Sequence, residues 1–246
     1  MCREAYTMNV EREVLTTILQ LTQTGLIDCH LICKTARSPY ESALEILRKL
    51  AEQRIVSLHG RVVEVSPDQR VEIAIRAVKM GADFENVCRL LEWREFEGIA
   101  RRAFEVYDYR VIKNLRFKGR NGKRGEIDVL ACKKPLVASV DCKHWKHNWT
   151  RAAIAKVVEE QIQRTQVFTC ILSRNYRKIG LDDWNQVTVI PIVLALLPSP
   201  FKYHHGTPIV PIMQLQSFIK ELPAYIEELT HFNENLSHVE RKMTEY

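Results

Sequence analysis

Two strand-like runs joined by a short basic turn constrain this chain more than any other stretch: Gly125-Glu126-Ile127-Asp128-Val129-Leu130-Ala131 and Leu136-Val137-Ala138-Ser139-Val140-Asp141-Cys142-Lys143. Both are rich in the apolar and β-branched residues that suit strands, yet each has acids where a buried strand should be apolar. Folding back at Lys133-Lys134-Pro135 makes residues whose numbers sum to about 269 face one another. Asp128 then opposes Asp141, and Glu126 opposes Lys143. Directly opposed residues share a face, with Cβ atoms roughly 4.5–5.5 Å apart, and alternation puts Lys143 on that face beside Asp141. Two converging carboxylates next to an ammonium suit a hard divalent cation and its bound water.

A chain of 246 residues, 46% hydrophobic, can hold one large domain or two small ones around such a site. No run approaches the ~20 apolar residues of a membrane span, and Met1-Cys2-Arg3-Glu4 leads into a polar helix rather than a signal peptide. The expectation is a cytoplasmic protein with no membrane partner. Its seven scattered cysteines argue for a reducing compartment. Cys29 and Cys33 lie one helical turn apart, but no second Cys/His pair follows at zinc-site spacing.

The net charge of +6 is unevenly placed. Between Arg110 and Arg124, seven basic residues (Arg110, Lys113, Arg116, Lys118, Arg120, Lys123 and Arg124) have only neutral residues among them. Alone, the run reads as a solvated hairpin. Leading into the acidic strands, it suggests a polyanion whose phosphates Lys and Arg hold.

The N-terminal part reads as three helices and a hairpin. Residues 9–23 are amphipathic and stop at Gly25. Asp28 caps a short second helix through Cys33, and Ser38-Pro39 opens a third to about Gln53. Ile55 to Val65 then form two short strands around His59-Gly60. This pattern resembles a winged helix-turn-helix over roughly residues 9–66, within a domain spanning 1–90 that further helices after Pro67 and at about 83–92 complete. The third helix would be the recognition helix, presenting Tyr40, Glu41, Glu45, Arg48 and Lys49. Its mixed charge leaves DNA binding and protein contact equally open.

From Trp93, an apolar stripe of Phe96, Ile99, Ala100, Ala103 and Phe104 marks a helix that packs on a sheet, with Glu97 beside the stripe. Taken alone, Glu97 is an ordinary helix glutamate. The order of elements is a helix with Phe-Glu, a basic strand, a strand with Asp128, then a strand with Asp141-Cys142-Lys143. That order resembles the PD-(D/E)xK nuclease superfamily, most of all the archaeal Holliday junction resolvases and Mrr-type restriction endonucleases, over about residues 93–222. The resemblance implies catalytic roles for Glu97, Asp128, Asp141 and Lys143. It also implies a glutamine on the following helix: Gln161, ahead of Glu160 and Gln163. Two departures are the missing proline before Asp128 and the N-terminal module, which minimal resolvases lack.

Residue chemistry points to Mg²⁺, with Mn²⁺ able to substitute. Asp128, Asp141 and the carbonyl of Cys142 supply oxygen ligands, and Glu97 could bind a second ion or reach the first through water. One-metal and two-metal routes stay open. Lys143 would orient the attacking water or stabilise developing charge. His144 and Lys146, with His147, Trp145 and Trp149, either touch the nucleic acid or cap the sheet edge. His204-His205-Gly206 reads as a hairpin turn, and the Cys142 thiol as buried core. No Ser-His-Asp spacing or glycine-rich phosphate loop suggests another hydrolase or a nucleotide cofactor.

Apolar runs at Val167–Ser173 and Val187–Leu197 read as buried strands, Ser217 to about Leu229 as a closing helix, and residues 231–246 as a frayed polar tail. The fold class is α/β: a central mixed sheet flanked by helices over 91–230, after a small α+β domain. The leading function is a metal-dependent DNA endonuclease acting on duplex or branched DNA in repair, recombination or restriction, with monomer and homodimer both open. The rivals are a non-catalytic nucleic-acid-binding protein and a winged-helix transcription regulator, each using the nuclease fold as scaffold.

Overall fold

The computed structural model describes residues 2–22, 25–120, 122–143, 150–196 and 198–236, with side chains from Met8 onward. The chain divides into two compact units, Met1–Gly98 and Ile99–Tyr246.

In the first unit α1 (Cys2–Leu21) starts well before the predicted residue 9, because its first turns lack the apolar stripe that marks the rest. β1 (Ile27–Asp28) is too short to be read from sequence. Its Asp28 carboxylate accepts from the His30 amide at 2.7 Å and caps α2 (Cys29–Thr35). α3 (Tyr40–Glu52) buries Ala43, Ile46, Leu47 and Leu50. β2 (Ser57–His59) and β3 (Val62–Glu64) form the hairpin, and β1 adds a third antiparallel strand in the order β1-β3-β2. α4 (Pro67–Lys79) begins with a capping box between Ser66 and Gln69 and with proline at its first turn. α5 (Phe84–Arg89) follows the Asp83 cap. Val14, Leu15, Ile18, Ile32, Leu47, Val63 and Ile73 are buried in this unit. α6 (Trp93–Glu105) runs through the boundary between the units.

The second unit is built on a seven-stranded mixed sheet flanked by helices. β4 (Arg110–Lys118), β5 (Arg124–Lys133) and β6 (Leu136–Lys143) form an antiparallel meander. α7 (Arg151–Asn175) then crosses over to β7 (Gln186–Ala195), parallel to β6. β8 (Tyr203–His204) and β9 (Thr207–Pro211) complete the order β4-β5-β6-β7-β9-β8. α8 (Leu215–Glu221) follows, and β10 (Phe232–Asn235) returns antiparallel to β7.

Three expectations need correction. Val167–Ser173 belongs to α7, where Gln161, Thr165, Phe168, Ile171 and Leu172 are buried at helical spacing. A seven-residue apolar run cannot by itself separate strand from helix. The closing helix stops at Glu221, where Pro223 follows, and only short 3₁₀ turns continue to Glu228. The start of the polar tail is ordered, because Phe232–Asn235 pairs with β7 and Thr188 Oγ1 lies 2.8 Å from Asn233 Oδ1.

β7 pairs with β6 from Thr188 to Ala195 on one edge, and its second edge is shared. β10 takes residues 186–189 and β9 takes residues 193–195. Pro191 falls in the interval between these partners, where a strand can lack a donor without breaking a ladder on that side. The apolar core lies between α7 and the sheet: Leu130, Val137, Phe168, Leu172 and Val189 at one end, and Ile154, Val158, Val193 and Ile209 at the other.

Candidate active site

The β5–β6 register is the one the sequence sets. Val129 pairs with Val140, Leu130 with Ser139 and Ala131 with Ala138, all on the sum of 269. The ladder ends at Val129, and beyond it the strand geometry changes. Ile112, Leu115 and Phe117 on β4, and Ile127, Leu130 and Cys132 on β5, all pack against one apolar cluster, which strict alternation forbids. The parity shifts where Asn114 adopts φ 51 and where the β4–β5 ladder passes from Lys113↔Val129 to Leu115↔Ile127. A non-glycine residue in this left-handed region is uncommon, and asparagine is among those that tolerate it.

Asp128 sits at this break. Its Oδ2 accepts from the Cys142 amide at 2.7 Å, so a side chain replaces the next rung of the ladder. Glu126 does not oppose Lys143: it pairs with Arg116 on β4, Arg116 Nε lying 3.0 Å from Oε2, while Lys143 has Ala195 of β7 as its Cα partner.

Asp141 is buried between two cations. Arg164 Nη1 donates to its Oδ1 at 2.6 Å, and Lys143 Nζ lies 2.9 Å from its Oδ2. The Lys143 contact is close enough for an ion pair but not aligned as a hydrogen bond, so Oδ2 is a buried oxygen with no directed donor. Such an oxygen is costly unless something else occupies its lone pairs. Burial pushes the Asp128 carboxyl above its ordinary value, and the neighbouring Asp141 adds to this. The Cys142 amide opposes it, with smaller help from Lys143 and Arg164.

Gln161 lies under the site. Its Nε2 donates to the Ser139 carbonyl at 2.6 Å, and its Oε1 accepts from Arg164 Nη1 at 2.9 Å. Thr165 Oγ1 lies 3.0 Å from Ser139 Oγ. Gln161 therefore acts on Asp141 through Arg164. Arg164 was not picked out from the sequence. The available signal was spacing, since a residue three positions after an inward-facing Gln161 shares its helix face.

Asp128, Asp141, Lys143 and Gln161 thus form one connected group. The Cys142 thiol is buried on the other face, in keeping with strand alternation. Glu97 is buried in α6, within the first unit as the chain divides. His144 and Lys146, with Trp145, His147 and Trp149, lie outside the described residues.

The basic run does not act as one patch. Arg110 donates to the Ile179 carbonyl and, at 2.9 Å, to that of Gly180. Arg120 donates to the Cys170 carbonyl at 3.0 Å. Lys118 and Arg124 are exposed neighbours across β4 and β5, and they line an open depression together with Arg116, Phe117, Gly125 and the acidic Glu126. Lys113 is also exposed, and Lys123 is exposed beside this turn. In the first unit Arg48 and Lys49 are exposed on α3, where Lys49 Nζ pairs with Glu45 at 3.0 Å.

Gly125 is fixed by packing. A Cβ there would lie 2.4 Å from Phe117 Cζ, and that ring meets Phe168 edge to face at 5.4 Å.

The oxygen-rich donor set and the undonated Asp141 Oδ2 fit a hard cation such as Mg²⁺. Burial raises the Cys29 and Cys33 thiols above their ordinary values. No described helix is long and apolar enough to cross a membrane.

Residues 92–239 match a family model described as NERD, nuclease-related domain. An uncharacterized protein of Archaeoglobus fulgidus is 29% identical over 133 residues, covering 54% of this chain and 92% of its own length. Among solved structures, protein VC1899 from Vibrio cholerae matches at 13% identity with a TM-score of 0.38, over 92% of this chain and 52% of that one. The chain spans about half the length of that protein.

Proposed function

The chain belongs to the nuclease-related domain family, and on that premise we propose that it is a metal-dependent DNA endonuclease of PD-(D/E)xK type. The observation that supports this best is the Asp141 carboxylate, clamped by Lys143 and Arg164 with one oxygen left undonated beside Asp128. Asp128, Asp141 and the Cys142 carbonyl would hold Mg²⁺ or Mn²⁺. Bound there, the ion supplies a water of lowered pKa and neutralises charge on a phosphate.

The side chains divide the remaining work. The Cys142 amide fixes the aim of Asp128. Lys143 Nζ, held beside Asp141, donates to the attacking water or a phosphate oxygen. Arg164 fixes Asp141, and Gln161 fixes Arg164, so both are positioning residues. Exposed Lys113, Lys118, Lys123 and Arg124 draw the backbone phosphates of DNA toward the sheet. Residues 1–90, in this reading, are a winged helix-turn-helix module that recruits the substrate through Arg48 and Lys49 on α3.

Cleavage of labelled duplex, single-strand, flap and four-way-junction DNA, with RNA alongside, tests this in Mg²⁺, Mn²⁺ and EDTA. Cutting that needs metal and disappears in Asp141→Ala and Lys143→Ala supports the proposal. Binding without cutting on every substrate would move the assignment to a non-catalytic nucleic-acid-binding protein.

A further inference from the structure

A second constellation lies on a different set of residues. Glu159 of α7 and His204 and His205 of the β8–β9 hairpin bring one carboxylate oxygen and two imidazole nitrogens within 4.8 Å of one another. The two rings stand edge to face at 4.2 Å. His204 Nε2 is shielded from solvent and has no hydrogen-bond partner. Glu159 precedes Gln161 by two positions, about 200° around a helix of 3.6 residues per turn. It therefore faces away from the side of α7 that braces Asp141.

The hairpin fixes where the two histidines stand. His204 pairs with Thr207, leaving His205-Gly206 as a two-residue loop with φ 47 and 69. Positive φ at both positions is the type I′ geometry, whose first residue is favourably asparagine or aspartate. Histidine, like these two, tolerates the left-handed region, so the turn holds His205 at the hairpin tip without a glycine. The loop is also held: Thr230 Oγ1 donates to the His205 carbonyl at 2.5 Å, and the Thr230 amide to that of Gly206 at 3.0 Å.

We propose that Glu159, His204 and His205 form a zinc site that clips the β8–β9 hairpin to α7. Two imidazoles and a carboxylate suit Zn²⁺, with a water in the fourth position. At ligand distances of roughly 2.0–2.1 Å, tetrahedral donors stand about 3.3 Å apart. Rotamer changes of about 1 Å close the cluster to that size. Asp128 and Asp141 take no part, so this inference stands or falls apart from the nuclease reading.

The test is zinc content after the full chain is stripped with EDTA, loaded with Zn²⁺ and dialysed, together with the visible spectrum after Co²⁺ loading. His205→Asn is the decisive variant, because asparagine suits the turn and removes the ligand without endangering the fold. Wild type should retain one more zinc per chain than His205→Asn or Glu159→Gln, and the tetrahedral cobalt bands should vanish in both variants. The Asp128→Asn/Asp141→Asn double variant should keep that zinc and those bands. Zn²⁺ should raise the thermal midpoint of wild type and leave that of His205→Asn unmoved. Equal zinc content in wild type and His205→Asn, or zinc lost only with Asp128 and Asp141, overturns the proposal.

Discussion

Two buried charge clusters in this chain are built in opposite ways. In the first unit Arg70 is closed on every side: Nε donates to Glu95 Oε1 at 2.5 Å, Nη1 to the Leu19 carbonyl at 2.8 Å and to Thr22, and Nη2 to the Leu90 carbonyl at 2.7 Å. Glu95 uses its other oxygen to accept from the Glu92 amide at 2.6 Å. In the second unit Asp141 has two cations but an undonated oxygen, and its neighbour Asp128 has its ionisation opposed by burial. Exposure separates them too. The side chains of Arg70 and Glu95 are 5% and 3% exposed, whereas Lys143 and Arg164 are 22% and 24% exposed. A closed cluster holds a fold together; an open one is poised to take a ligand.

The largest effect that tests this contrast is on activity. Asp141→Asn should lower cleavage by at least about 10³-fold, roughly 4 kcal/mol of barrier. It should shift unfolding stability by no more than about 1 kcal/mol, since Lys143 and Arg164 can turn to water. A severe loss of stability in Asp141→Asn would erase the distinction between the two clusters. Arg70→Met should behave in the reverse sense. It leaves Glu95 buried without its partner, a cost of about 3–5 kcal/mol in denaturant unfolding. The double variant Arg70→Met/Glu95→Leu should recover most of that.

Gly125→Ala comes next, at about 1–3 kcal/mol, because its methyl group must displace the Phe117 ring. Phe117→Leu in the same chain should relieve part of the loss, and failure to do so would show that another contact is responsible. The smallest effect concerns Asp128. A carboxyl whose folded pKa is raised adds stability while protonated and loses it as pH rises through that pKa. Without divalent metal, Asp128→Asn should therefore be slightly more stable than wild type at neutral pH. The difference should fade as the medium is made acidic. A variant less stable at neutral pH would mean that the ionised carboxylate supports the fold.

The strand pairing was legible because side-chain period and turn length leave a single register that buries Val129, Leu130 and Val140 together. Asp128 and Asp141 stood out as acids within that pattern, and the cap at Asp28 follows from local chemistry alone. The parity shift at Asn114 was not legible, since nothing in an Asn within a basic strand signals a left-handed backbone. The β5–β6 ladder stops at Val129, short of Glu126, which pairs with Arg116 on the other edge of β5. β10 was hidden for a different reason: Phe232-Asn233-Glu234-Asn235 is too polar to read as a strand, and pairing with β7 decides its conformation. Arg164 was missed because it contributes geometry rather than a motif.

The shared edge of β7 also has a consequence in time. β10 lies roughly 40 residues after β7, so at about 5–20 residues per second on the ribosome the residues that cover positions 186–189 follow by some 2–8 s. Through that interval a strand buried at eight of its ten positions has part of one edge uncovered. A nascent chain stalled short of Phe232 would present that edge to its neighbours, making the last strand the step that commits the sheet to staying single.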